Sequence, residues 1–552
     1  MKRLPFQSMG PKGMTLIISI MFFSPLLEYP SGGSQITGYY DYIPRGPIYI
    51  NGNENFTEEN GVIGGSGIQE DPYVISGWIL DMHREQYLQP IKIVNTTAYF
   101  VIKNCYVGNA RLYPEWPPAG CAILLKNVSN ARIENLYTLP SFGHELYSWG
   151  VPTFLGIYNC TNVTFANTTI SERNTGFRAL TISIVSSSHI SLLNITFLWD
   201  LSHGLGWADN PPGNIQISEC INVVIRYTKL EGGGIFIRGE NLSHWNTHEI
   251  DTTNTLNGKP IYYLKNIHNK TIPLDAGQVY LINCTNINVS CLHLNAPFAI
   301  VGSSNCTIMN SHFLYNCDII QSSYLIFAYN LLRSGVDADS QSQNLFFHHN
   351  VLSSSSLPKD TCLNTSTHGN FWIEWRWPDN NNDGIVDEPF HLNKENPDLG
   401  PTDYFPLVDL PSHFDIDSLQ QQFLEPDKLL ISGQFTGTRD IRNVSFFYRL
   451  PESTEWKEIV IQSQNKTKEV MFIEAIECGK KSGKLTYYFA VTDELNTTLC
   501  TPEIIVEIRA YTSSIDFIVV WGIPLICIIF SIGFAALLYI RRQKQQGGLR
   551  RF

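Results

Sequence analysis

The residues best suited to chemistry lie in one stretch, Trp199 to Asn210 (WDLSHGLGWADN). Asp200 and Asp209 offer the acid and base that an inverting glycosidase needs on either side of a glycosidic bond. Trp199 and Trp207 offer ring faces for stacking on a sugar, and His203 a hydrogen bond to its hydroxyls. Trp116, in the loop LYPEWPP from Leu112 to Pro118, adds another ring. Aromatic rings presented on a rigid support, with polar groups nearby, are what glycan recognition uses, so this set favours binding over catalysis. The bland alternative is a solvated loop. Asp337 and Asp339 form a second acidic pair, both on one face of a loop or strand and with no basic partner.

Metal chemistry has one good candidate. Asp379, Asn381, Asp383, Gly384, Ile385 and Asp387 place oxygen ligands at positions 1, 3 and 5, a glycine at 6 and a carbonyl at 7, like the first half of an EF-hand or dockerin loop. Such a loop would hold a structural Ca²⁺. Position 12, normally a bidentate Glu, is Phe390, so Asp387 or Glu388 must complete the shell. An Asx-rich turn is the alternative. Copper is disfavoured: soft sites need clustered Met, Cys or His, and the adjoining pairs Met82–His83 and His348–His349 would point to opposite faces of a strand.

Of twelve cysteines, Cys527 lies in an apolar run and eleven do not. No pair has the short C-x-x-C spacing of zinc or redox sites. Two pairs are candidates for local disulfides, Cys105 with Cys121 and Cys478 with Cys500, and the connectivity does not follow from sequence. Cys160, Cys220, Cys284 and Cys306 lie beside strand-like runs and read as buried filling.

The elements that must position these groups are strands. From about residue 90 to 355, short alternating runs of Ile, Val, Leu, Phe and Thr are separated by Asn or Ser turns, as in AILLKNVSNARIENLYT from Ala122 and VYLINCTNINVSCLHL from Val279. Near the end the period becomes regular: Asn310, Asn330 and Asn350 each follow a β-rich triplet. A repeat of several tiny strands means stacked coils, because one coil cannot bury its own apolar face. Asn at a recurrent turn can take the left-handed conformation and bond its neighbours above and below. The expected fold is therefore all-β, a right-handed parallel β-helix over 35–410, with a β-sandwich or propeller as the alternative. Residues 413–511 read as an Ig/fibronectin-like β-sandwich, from runs such as ISGQFTG at Ile431, VSFFYRL at Val444 and LTYYFAVTD at Leu485.

Three stretches carry a family likeness: GVIGGSGIQEDPYVISGWIL from Gly61 to Leu80, NTLNGKPIYYLKN from Asn254 to Asn266, and GNFWIEWRWPDNNNDGIVDEPFHL from Gly369 to Leu392, closing with DYFPLV at Asp403. Over residues 45–410 the chain resembles the NosD-type, carbohydrate-binding/sugar-hydrolysis (CASH) group of right-handed parallel β-helix proteins of archaeal and bacterial surfaces. The resemblance implies the fold and says little about function. The NosD name implies help in maturing a copper enzyme, though many proteins with this pattern have no such context. The paired aspartates and Arg-x-Lys element of polygalacturonase-type enzymes are missing. His244, Trp245 and His248 precede the NTLNGKP segment, where a fold role is expected.

The two ends suggest topology. Basic residues followed by Met14–Leu27 read as a signal peptide over 1–34, with an uncleaved anchor as the alternative. The uncharged run 517–540 is long enough for a transmembrane helix, and the basic tail 541–552 would be cytoplasmic. The expected protein is single-pass, with its bulk outside the cell and the membrane as a partner. A net charge of −12 makes nucleic acid a poor partner. Sixteen N-x-S/T sequons suit a glycoprotein, although Asn, Ser and Thr are also turn and ladder residues. Three functions follow in order: a noncatalytic surface protein that binds glycans or envelope proteins, a membrane-tethered polysaccharide hydrolase or lyase, and a NosD-like factor in metalloenzyme assembly.

Overall fold

The computed structural model describes residues 42–80, 89–108, 121–138, 153–172, 181–199, 215–353, 355–375, 377–425, 428–478 and 482–508. Their regular secondary structure is nearly all strand; the exceptions are short, the α-helical turn Ser243–Asn246 and the 3-10 turns Asn53–Asn55, Glu58–Asn60 and Pro397–Leu399. From Gln278 onward each coil contributes three strands. Gln278–Ile282, Thr285–Ser290 and His293–Leu294 form one coil, and Phe298–Val301, Thr307–Met309 and His312–Phe313 form the next. Each strand pairs in parallel with its counterpart one coil on: Leu281 with Ile300, Val289 with Ile308, His293 with His312. Stacked parallel coils of this kind make a β-helix, as the repeats imply.

The coils are held by an apolar column inside and by side-chain ladders at the turns. Ile287, Val289, Ile308, Phe327 and Phe347 are fully or almost fully buried in one cluster. Outside, Asn95, Asn127 and Asn159 take left-handed φ of 51–57°. Each donates its amide to the asparagine one coil back: Asn95 to Asn51 at 2.9 Å, Asn127 to Asn95 at 2.8 Å, Asn159 to Asn127 at 2.8 Å. Asn95, Asn127 and Asn159 are also sequon asparagines, and the amide nitrogen a glycan would occupy is here a ladder donor.

A second ladder runs through the interior. The Ser311 N–H donates to Asn330 Oδ1 at 2.9 Å, the Asn330 N–H to Asn350 Oδ1 at 3.0 Å, the Asn350 N–H to Asn370 Oδ1 at 3.1 Å, and the Asn370 N–H to Asp403 Oδ2 at 2.8 Å. Asp403 also accepts from Trp372 Nε1 and from the Phe405 N–H, so it closes the column. Gly369 must be glycine there: an added Cβ would lie 1.8 Å from Asp403 Oδ1. Burial raises the Asp403 carboxyl to about 6, against these donors, which lower it. Between about pH 4 and pH 6 the folded state holds more protons than the unfolded chain, so stability falls as pH rises through that window and is level above it. The expected loss is about 3 kcal/mol from this group. Asp318 titrates in the same window, so the test is a difference: Asp403→Asn should flatten part of the slope in pH-dependent urea melts, and an unchanged slope would refute the assignment.

The C-terminal unit is one six-stranded antiparallel sheet, wrapped on a core of Phe435, Phe446, Phe472, Tyr487 and Phe489. The runs at Ile431 and Val444 are not separate strands. Both belong to Lys428–Arg449, which bends at register shifts around Ile441 instead of turning back. The sheet meets the β-helix along its left-handed turns. Asn310 clamps Phe414 by two bonds, Nδ2 to the Phe414 carbonyl at 3.0 Å and the Phe414 N–H to Oδ1 at 2.9 Å.

The membrane expectation is corrected. Among the described residues no helix is long and apolar enough to cross a membrane. The run 517–540, the tail 541–552 and the signal region 1–34 lie outside the described residues. This corrects the expected single-pass anchoring and membrane partner.

Candidate functional site

Asp318 and Asp337 occupy equivalent positions on adjacent parallel strands, Cys317–Ile320 and Val336–Ala338, so their side chains leave the same face one coil apart. Asn316 Nδ2 donates to both carboxylates, at 3.0 Å to Asp318 and 2.8 Å to Asp337. Burial, and then the neighbouring Asp337 charge, raise the Asp318 carboxyl to about 6; the Asn316 bond and Arg238 act against the rise. Asp337 is exposed. The row continues into aromatic surface. Tyr315 meets Phe236 edge to face, with centroids 5.9 Å apart, and both are half-buried. Phe236 stacks over Gln216, and Arg238 over Ser218, on neighbouring coils. Acceptors, an amide, a guanidinium and ring faces thus share one flank of the solenoid.

A second cluster lies at the seam with the C-terminal sheet. His293 and His312 come from successive coils, ring centroids 4.5 Å apart, and Asp415 faces them from the strand Phe414–Glu425. One ligand atom from each lies within 4.8 Å of the other two. His413 bonds Asp415 Oδ1 at 3.2 Å and the Tyr329 carbonyl at 3.0 Å. Burial, reinforced by His293, holds the His312 imidazole below its ordinary value. Burial would raise Asp415, but the His413 bond and the nearby imidazoles bring it below the usual carboxylate range. A cleft of about 870 Å³ opens beside this seam, lined among others by Leu274, Cys291, Ile416, Leu419 and Ile504.

No protein-family model matches this chain, and no curated protein matches it.

Several expected site residues fall elsewhere. Trp116, Asp200, His203, Trp207 and Asp209 lie outside the described residues, as do Met82 and His83; Trp199 ends the strand Ser188–Trp199, paired with Glu172, and its side chain is likewise undescribed. The candidate disulfides are not made. The Cys105 thiol donates to the Lys103 carbonyl at 3.3 Å and the Cys478 thiol to the Ile476 carbonyl at 3.6 Å; Cys121 is buried beside Tyr158, and Cys500 is an exposed thiol. Cys105 itself sits inside the solenoid as filling. Asp339 does not pair with Asp337; it accepts from the Ser342 hydroxyl and the Gln321 N–H in a turn. His348 and His349 do not point apart: His349 has φ 55°, which breaks the alternation, and their Nδ1 atoms lie 2.8 Å apart. Trp245 and His248 are buried, with Trp245 Nε1 donating to the Gly239 carbonyl.

In the Asp-rich loop, Asp379 accepts from the Asp383 and Gly384 N–H groups, Asp383 from Ile385, and Asp387 from Asn380. Asn381 accepts from the Asp383 N–H and donates to its carboxylate. Gly384 takes the left-handed φ of 84° that position 6 of such a loop requires. Sequence reasoning missed Asp318, His293, His312 and Asp415. The first three were within reach of a coil-by-coil alignment, because Asp337 and His312 each lie 19 residues after their partner.

Proposed function

We propose that this protein is a noncatalytic glycan-binding scaffold, with the sugar chain laid across the flank formed by Phe236, Tyr315, Asn316, Asp318 and Asp337. The observation that carries the reading is the junction of half-buried rings with a row of hydroxyl-bonding groups on a rigid stack. Side chains held by a β-helix lose little further entropy on binding. The three stretches behind the NosD/CASH likeness support a scaffold role, because each builds the fold. Gly65 lets the chain pass against Pro72, Asn254 bonds buried backbone at Thr228 and Ile225, and Asn370 with Trp372 closes the last coils. On a glycan array, Tyr315→Ala should weaken binding about tenfold, the scale of one lost stacking contact at about 1–2 kcal/mol. Binding that is indifferent to Tyr315→Ala would remove the flank from consideration.

A second reading, hydrolysis, is favoured by the split environments of Asp318 and Asp337. A carboxyl held protonated to about pH 6 beside an exposed carboxylate is the arrangement of an acid and its partner in glycosidases. Structural Ca²⁺ at Asp379–Asp387 is a separate part of the proposal, supported by Gly384 and the alternating oxygens. Adding Ca²⁺ to the metal-stripped full chain should then raise its melting temperature, and Asp383→Ala should abolish that rise. Identical melts with and without Ca²⁺ would discard it.

A further inference from the structure

We propose that His293, His312 and Asp415 bind a divalent transition-metal ion of the zinc class, which pins the C-terminal sheet to the β-helix. The geometry is built rather than incidental. Two imidazoles are brought together by the parallel register of successive coils, and the carboxylate is delivered by the one strand that Asn310 clamps through Phe414. Their ligand atoms lie within 4.8 Å of one another, with His312 Nδ1 3.8 Å from Asp415 Oδ2, the separation of two ligands around one ion rather than of a hydrogen bond.

An independent observation points to a missing ligand. His312 is 6% exposed, yet neither of its ring nitrogens has a hydrogen-bond partner. Orphaning a buried polar group costs roughly 1–3 kcal/mol, and an ion would satisfy one of these nitrogens. The surroundings are those of a metal site. Asp415 uses Oδ1 to meet His413 and keeps Oδ2 toward His312, and His413 is itself fixed by the Tyr329 carbonyl. Ligating carboxylates are held by hydrogen bonds of this kind. Two imidazoles and one carboxylate suit borderline ions such as Zn²⁺ better than the hard Ca²⁺. Three protein ligands leave a coordination position open. His293 is exposed, which gives the site a route to solvent.

The test uses the full chain stripped of metal and titrated with Zn²⁺ against a chromophoric chelator. One equivalent should bind, and the melting temperature should rise with it. His293→Ala removes an exposed ring, so the apo melt should match wild type while Zn²⁺ affinity falls at least 100-fold. His413→Ala, acting through Asp415, should lower affinity about 10–100-fold. His391→Ala, remote from the seam, should leave affinity unchanged. A wild-type chain that takes up no Zn²⁺ overturns the proposal, and so does binding that survives His293→Ala.

Discussion

Replacing Asn350 with Ala should cost about 4–6 kcal/mol, one of the two largest effects expected from a single change in this protein. Asn350 is fully buried and works in both directions along the inner ladder. Its Oδ1 accepts the Asn330 N–H and the Asn330 amide, both at 3.0 Å. Its Nδ2 donates to the Phe327 and His348 carbonyls and to Asn370 Oδ1. Alanine takes the side-chain partner from the Asn330 N–H and a donor from the Phe327 carbonyl in a region water does not reach, while Asn330 Nδ2 keeps the Ile308 carbonyl, Asn370 Oδ1 keeps the Asn350 N–H and the His348 carbonyl keeps the Tyr329 N–H; each orphaned group costs roughly 1–3 kcal/mol, to which the vacated side-chain volume adds. Coils stack on nearest neighbours, so the damage should appear first as early proteolysis of the C-terminal coils. Asn286→Ala is the matched control. Its amide donates to Asn269 at 2.9 Å in the exposed ladder, where water replaces the bond, and about 1 kcal/mol is expected. Equal losses at the two positions would contradict the distinction between inner and outer ladders.

Ile308→Asp should be at least as severe, about 5 kcal/mol or more. Ile308 is 0% exposed and sits between Val289 and Phe327 in the parallel register. The change removes apolar burial worth about 2–3 kcal/mol and buries a carboxyl among aliphatic side chains, which must take up a proton or draw in water. Chemical denaturation against Ile308→Val, expected to cost about 1 kcal/mol, isolates the charge from the volume. Wild-type stability in Ile308→Asp would mean that the coil register is wrong.

The column of Ile, Val and Phe was readable because a period of two inside a period near twenty has only one economical burial. The ladder was readable in kind and displaced in register. Asn330 and Asn350 belong to it, but the coil before them is 19 residues, so its partner is Ser311 and Asn310 falls in the preceding left-handed turn. That displacement is what frees Asn310 to hold Phe414. A linear reading offers pairs close in sequence, such as Asp337 with Asp339 and His348 with His349. A solenoid instead brings together residues one coil apart, which is why Asp318 and His293 escaped notice. Asp415 was beyond reach, since its place depends on how the C-terminal sheet meets the turns.

The most direct test of the proposed function is to incubate the full chain with the glycan it binds best and then measure the length of that glycan by mass spectrometry. The account predicts a glycan of unchanged length, bound by wild type and released more readily by Tyr315→Ala. Shortened products that disappear in Asp318→Asn would contradict it and make the protein a hydrolase.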